Sequence, residues 1–243
     1  MGTGNRFYLY SISITAALGG LLFCFDTGVI SGAITFVSFH FHLNSYMEGF
    51  TVSSLIIGCI IGVLISGPLS DNWGRKPILI ISAFLFIVSA TLASIPKVIW
   101  ELIIARFIGG LAVGAASVMS PIYLTEISPK KIRGALVSLN QLTIVVGIFA
   151  TYISNWLLQD TGPNNWRYMF AAQNVPGVLF FIALFFIPES PRFLLKKNLR
   201  EKARDILVKI DGVQNAELEI SEIESLPKQQ NFKISEQWVK GRR

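Results

Sequence analysis

The sequence predicts an all-α membrane protein: six transmembrane helices forming one bundle, with short cytoplasmic helices after the sixth span. Composition is the first reason. Of 243 residues, 52% are hydrophobic and 15% charged, and the mean hydropathy is +0.55, whereas soluble domains carry about a quarter charged residues. The second is the distribution of apolar runs, six of which are long enough to cross a hydrocarbon core of about 30 Å. They lie at about 8–36, 48–68, 77–95, 101–124, 134–157 and 166–187. The third is where the net charge of +6 resides. Lys and Arg gather between the apolar runs and in the last part of the chain, which favours orientation in a membrane over a nucleic-acid partner.

The first run is too long for a signal-peptide core, has Arg6 as its only basic flank and shows no small-residue cleavage site, so it is expected to remain in the mature protein. Met1-Gly2 would suit a myristoylation start, but Arg6 stands where that motif needs Ser or Thr. Cys24 in this run and Cys59 in the second have neither metal-ligand nor disulfide spacing, and are expected to be small packing residues. Gly28 and Gly32, Gly58 and Gly62, and Gly110 and Gly114 are each four apart, a spacing that lets membrane helices approach closely. Gly19-Gly20-Leu21 of the first run recurs as Gly109-Gly110-Leu111 in the fourth, which would suit two three-helix units of inverted topology.

Six spans put both termini on one side. Arg6, Arg75, Lys76, Lys130, Lys131 and Arg133 fall in one set of connections and only Lys97 in the other. The positive-inside rule then predicts cytoplasmic termini and cytoplasmic 69–76 and 125–133 loops. The first unit is 1–190. From 191 to 243 the chain is mixed in charge and is expected to form an amphipathic helical linker: Asn198 as helix cap with Glu201 reaching back, Leu199, Ala203, Ile206, Leu207 and Ile210 on one face, Gly212 as terminator, and a second helix over 216–226.

Two strong charges sit well inside the spans. Asp26 interrupts the stretch LFCFDTGVISGA, and Arg106 lies in the fourth span. At 1.5 Å rise per residue they lie about 15 Å and about 8 Å from the outer ends of their helices, a gap that tilt and a long arginine side chain can close. A functional ion pair and a structural one both satisfy this placement. Gln141 in the fifth span offers an amide that suits either a sugar hydroxyl or an interhelical hydrogen bond. The connections GPLSDNWGRK (67–76), PIYLTEISPKKIRG (121–134) and PESPR (188–192) mix acids with arginines where helix ends meet, so their ion pairs can lock one conformation and release another. His40 and His42 form an H-x-H without further ligands, so no metal site is expected. HExxH, GxSxG and phosphate-loop motifs are missing from the sequence, so an enzyme is not expected, nor any cofactor.

In order along the chain, GGLLFCFDTGVISG, G-x-x-x-D-x-x-G-R-K, ARFIGGLAVG, P-x-x-x-T-E-x-S-P-x-x-x-R-G, VSLNQ, NNWRYMF and PESPR make the sequence resemble the sugar porter family of the major facilitator superfamily. The resemblance implies that Asp26 takes a coupling proton and pairs with Arg106, as in proton-coupled members; many passive members have asparagine there. It implies that Gln141 contacts sugar and Phe23 lines the same cavity. It places Asp71, Arg75, Lys76, Glu126, Arg133, Glu189 and Arg192 in a cytoplasmic gate network. Asn72 stands where the family usually has Arg or Lys, and Ile148 where many members have a second glutamine. The family has twelve spans and draws most of its sugar contacts from the second six, so the expectation is the N-terminal half of a sugar transporter, without its C-terminal six-helix bundle. Its expected partners are a monosaccharide, a proton, membrane lipid and a second six-helix half, and its expected site is the cell membrane. A proton-independent facilitator and a non-transporting sensor or assembly partner are the alternatives.

Overall fold

A computed structural model describes residues 5–225. It contains ten helices: α1 (Arg6–Phe41), α2 (Ser45–Trp73), α3 (Arg75–Ser94), α4 (Ile99–Ile127), α5 (Arg133–Leu158), α6 (Asn165–Ala172), α7 (Asn174–Phe186), α8 (Pro191–Lys196), α9 (Arg200–Asp211) and α10 (Val213–Ser225). Six segments are long and apolar enough to cross a membrane: α1 to α5, and α6 with α7 as one stretch, Asn165–Phe186. The helices overrun several apolar runs because capping groups extend them. The Asn5 and Asn44 side chains accept from Tyr8 N at 3.1 Å and Met47 N at 2.8 Å, satisfying exposed first-turn donors of α1 and α2. The sixth segment breaks at Gln173, because Pro176 has no N–H to offer the Ala172 carbonyl.

Small residues set the packing. Gly58 and Gly62 of α2 lie against the backbone of Phe107, Gly110 and Leu111, while Gly110 and Gly114 of α4 lie against the backbone of Leu55, Gly58 and Cys59. Backbones this close leave no room for a Cβ. Across the bundle, Gly28 and Gly32 of α1 lie beneath Thr151 and Asn155 of α5. That seam is also hydrogen-bonded: Thr143 Oγ1 donates to Ala17 O at 2.6 Å and Asn155 Nδ2 to Gly28 O at 2.9 Å. The two Gly-Gly-Leu stretches both lie at close helix contacts. Gly20 of α1 faces α5 and Gly110 of α4 faces α2, while Gly19 lies against Ser120 of α4 with Phe180 of α7 beyond it, and Gly109 faces Ser89 of α3. The contacts therefore pair α1–α3 with α4–α7 as two interlocked units.

The apolar interior has two parts. One includes Leu9, Leu22, Phe86, Tyr123 and Leu184 and reaches Ile210 of α9. The other includes Phe25, Val37, Leu102, Trp166 and Phe170. On α1 the change falls between Leu22 and Phe25, and on the sixth segment between Phe170 and Phe180. Asp26, Arg106 and Gln173 occupy the level between them.

The short helices close one end of the bundle. Asn5 N donates to Lys209 O at 2.9 Å, Lys196 pairs with Asp71 at 3.1 Å, and Lys130 pairs with Glu222. The start of α1, the α2–α3 junction, the α4–α5 connection and α8–α10 thus share an end, as the charge asymmetry predicts. Two details of the linker differ from expectation. Asn198 does not cap α9; it adopts a left-handed backbone (φ 60) after α8, and Leu199 precedes α9 without a side-chain cap. The second helix starts at Val213, since Gly212 (φ 81) turns the chain immediately into it. The linker beyond Ser225 lies outside the described residues.

Candidate functional site

Asp26 is buried, 4% exposed, and Arg106 is buried, 1% exposed. Arg106 Nη1 lies 3.7 Å from Asp26 Oδ1. The same oxygen accepts a hydrogen bond from Gln173 Nε2 at 3.0 Å. The guanidinium carbon of Arg106 also stands 5.9 Å from the Phe170 ring centroid, a cation–π contact within a desolvated site. Asp26 Oδ2 has no hydrogen-bond partner among the described residues, nor have the three guanidinium nitrogens. The pair is held by one carboxylate oxygen at ion-pair distance, not by a two-pronged bond. A proton can therefore be added at Oδ2 without breaking a hydrogen bond, and the arginine can withdraw without dismantling one.

Phe23, three residues before Asp26, is half-buried and packs against the apolar cluster on its side of the polar layer. Gln141 lies on the exposed face of α5. The bonds that join α5 to α1 come instead from Thr143, Thr151 and Asn155. Ile148 is also exposed, on the same helix.

At the end closed by the short helices, Arg75 Nη2 binds Glu126 Oε1 at 2.9 Å, and Nη1 reaches Ser70 O at 3.1 Å and Asp71 at 3.5 Å. Glu126 Oε2 accepts the Ser190 hydroxyl. Glu189 Oε1 accepts from Arg75 N at 3.0 Å, Lys76 N at 3.2 Å and Ser190 N at 2.8 Å, an anion seated on the N-terminus of α3. Burial pushes the Glu189 carboxyl above the ordinary glutamate value, against the pull of these N–H groups and of Arg75. Gly74 makes this seat possible: its φ of 104 turns the chain between α2 and α3, and a Cβ there would meet the Glu189 carboxylate. The Lys76 ammonium donates to Phe185 O at 3.1 Å.

Asp71, Arg75, Lys76, Glu126 and Glu189 are thus brought together. Arg133 is not among them: it donates to Ser128 O and pairs with Glu219 of α10 at 3.9 Å. Arg192 is exposed and makes no ion pair among the described residues. Gln173, Phe170 and Ser190 were not singled out from sequence. The available signal for Gln173 was an amide inside an apolar run, three residues before a proline.

Six membrane-length segments in two interlocked units, with one ion pair in a polar layer between two apolar cores, are features of a membrane carrier. The chain belongs to the sugar porter family of the major facilitator superfamily: the sugar (and other) transporter family matches residues 12–241. It is 45% identical over 224 residues to the arabinose-proton symporter of Bacillus subtilis (strain 168), covering 90% of this chain and 48% of that protein. It is 38% identical over 252 residues to the D-xylose-proton symporter of Escherichia coli (strain K12), covering 90% and 51%. Among solved structures, the proton:xylose symporter XylE bound to 6-bromo-6-deoxy-D-glucose superposes with a TM-score of 0.87 at 37% identity, over 90% of this chain and 53% of that one. The chain spans about half the length of the curated relatives it matches.

Proposed function

We propose that this chain forms the N-terminal six-helix half, about residues 1–190, of a transporter that moves a monosaccharide across the cell membrane by alternating access in symport with protons. The single observation that carries the proposal is the Asp26–Arg106 pair, buried in the polar layer and hydrogen-bonded by Gln173. An ion pair in that position is poorly explained by stability, since apolar residues would often serve as well. It suits a cycle in which Arg106 pairs with the Asp26 carboxylate, and protonation of Asp26 frees Arg106 so that the helices can shift. Gln141 and Phe23 supply part of the sugar site, and a second six-helix half completes it. The end carrying α8–α10 is cytoplasmic, where Asp71, Arg75, Lys76, Glu126 and Glu189 form a gate network; Arg133, held by Ser128 O and Glu219, and the exposed Arg192 lie outside it. The relatives named as arabinose-proton and D-xylose-proton symporters support both the sugar and the proton.

The test is proton uptake on adding arabinose, xylose or glucose to vesicles holding the complete transporter that contains this chain. At least one sugar should enter with protons. Sugar entry without proton movement would make the protein a facilitator.

A further inference from the structure

One short helix connects the outer end of the bundle to the acid–arginine pair. α6 runs from Asn165 to Ala172, and Trp166, Phe170 and Gln173, spaced four and three apart, share a helical face. All three are buried. Gln173 donates to Asp26, Phe170 lies beside Arg106, and Trp166 packs edge-on to Phe170 at 6.4 Å between centroids. At the other end, Arg167 donates through Nη1 to Ser94 O at 3.3 Å and through Nη2 to Pro96 O at 2.7 Å, and lies 4.4 Å over the Trp166 ring. One carbonyl ends α3 and the other lies in the turn between α3 and α4. Arg167 is a second cation on the face where the sequence pointed only to Lys97, and it is spent on backbone carbonyls, not on an acid.

The break at Gln173 separates α6 from the ladder of α7. The helix is thus fixed to the outer turn by an arginine fork while its inner end meets the charged pair. A hydrogen bond of 3.0 Å is lost on a displacement of about 1 Å. The axial position of α6 therefore decides whether Asp26 keeps its donor. We infer, resting on the proton-coupled function proposed above, that Arg167 is a positioning residue for the Asp26–Arg106 pair: by holding α6 to the α3–α4 turn it sets where Gln173 and Phe170 stand against the two ions. An opening of the outer end that drew α6 off that turn would withdraw the amide that favours the ionised carboxylate. Around Asp26 the charged or titratable groups are Arg106 from α4 and the Cys59 thiol from α2. α3, α5 and α7 carry no charged side chain at that depth, and α6 carries only Arg167.

The experiment is a pH titration, on the full chain in lipid, of the infrared band of the protonated carboxyl that Asp26→Asn removes. Gln173→Ala should move the midpoint by about half a pH unit or more. Arg167→Ala should move it in the same direction, and the double variant no further than either single one, because both act through one hydrogen bond. Arg167→Lys, which keeps the charge but not the fork, should move it less. A midpoint moved by Gln173→Ala but untouched by Arg167→Ala overturns the positioning role and leaves the proton-coupled function standing. A midpoint that neither variant moves overturns the positioning role alone, and a band that survives Asp26→Asn overturns both. Should Arg167→Ala not fold, Arg167→Lys carries the test, and a wild-type midpoint in it overturns the inference.

Discussion

Glu126 holds Arg75 at 2.9 Å with one carboxylate oxygen and the Ser190 hydroxyl with the other, so a single acid of α4 binds the start of α3 to the turn before α8. The acid is 5% and the arginine 14% exposed. Glu126→Ala leaves the guanidinium without its main partner, and removing one member of a well-buried pair costs about 3 kcal/mol. The variant should unfold at distinctly lower denaturant than wild type, and Glu126→Asp should recover only part of the loss. An unfolding midpoint unchanged by Glu126→Ala would reduce the contact to a surface pair.

The Glu189 seat has a pH signature. Burial raises its carboxyl above the usual 4.5, so the folded state binds this proton more readily than the unfolded chain. The stability this group contributes therefore falls as pH rises from 4.5 through its raised folded value. Glu189→Gln keeps an acceptor for the three N–H groups but cannot ionise. The variant should match or exceed wild-type thermal stability at pH 7, and the difference should close on acidification through that window. A wild type that is the more stable at neutral pH would show that Arg75 and the backbone donors outweigh burial.

Close approach of α2 and α4 depends on Gly110, where a Cβ would meet the Leu55 carbonyl. Because that neighbour is backbone, Gly110→Ala forces the helices apart and should cost about 1 to 3 kcal/mol. Gly49 on the same α2 helix has open space around it, so Gly49→Ala should cost nothing and gain up to about 1 kcal/mol from helix propensity. Chemical unfolding of both variants in one detergent compares them directly; equal costs would refute close packing as the reason for Gly110.

How much of this was legible beforehand followed physical range. Span positions, the end shared by the start of α1 and the linker helices, and the glycine seams are local or periodic signals, and each appears in the sequence at its own spacing. The Asp26–Arg106 contact was legible because two charges in lipid must find each other. Gln173 was hidden because an amide in an apolar run carries no partner information; only the break before Pro176 aims it at Asp26. Arg133 stood in a family pattern, but its neighbours include Glu219 of α10, and linker docking has no signal in the loop itself. Asn198 failed as a cap because it is the left-handed residue that ends α8, where its N–H donates to Leu195 O and that of Leu199 to Leu194 O, a role set by the helix before it and not by the helix that follows.

Sugar contact at Gln141 is open to a direct measurement. The side chain lies on the exposed face of α5, away from the hydrogen-bonded seam with α1. In the complete transporter, Gln141→Ala should weaken sugar binding by about 1 to 3 kcal/mol, the cost of leaving a buried hydroxyl unpaired. Isothermal titration reads this as a raised Kd with little change in protein stability. An unchanged Kd would remove Gln141 from the sugar site.

The sharpest outcome concerns Asp26. If it carries the coupling proton, Asp26→Asn imitates the protonated side chain in shape and charge, while the Gln173 amide keeps an oxygen to donate to. Arg106 is then permanently released, so the helices can shift without a proton entering. The variant should bind sugar and exchange it in counterflow at near wild-type rates, yet fail to concentrate it under an inward proton gradient. Arg106→Ala should do worse, since the buried carboxylate loses its partner and the neutral form is favoured at every stage of the cycle. Both variants belong in proteoliposomes holding the complete transporter, with sugar accumulation and proton uptake read together. Asp26→Asn that still accumulates sugar against its gradient would make the pair structural and end the symport proposal, whereas loss of counterflow as well would show that the carboxylate is needed for the helix movement itself.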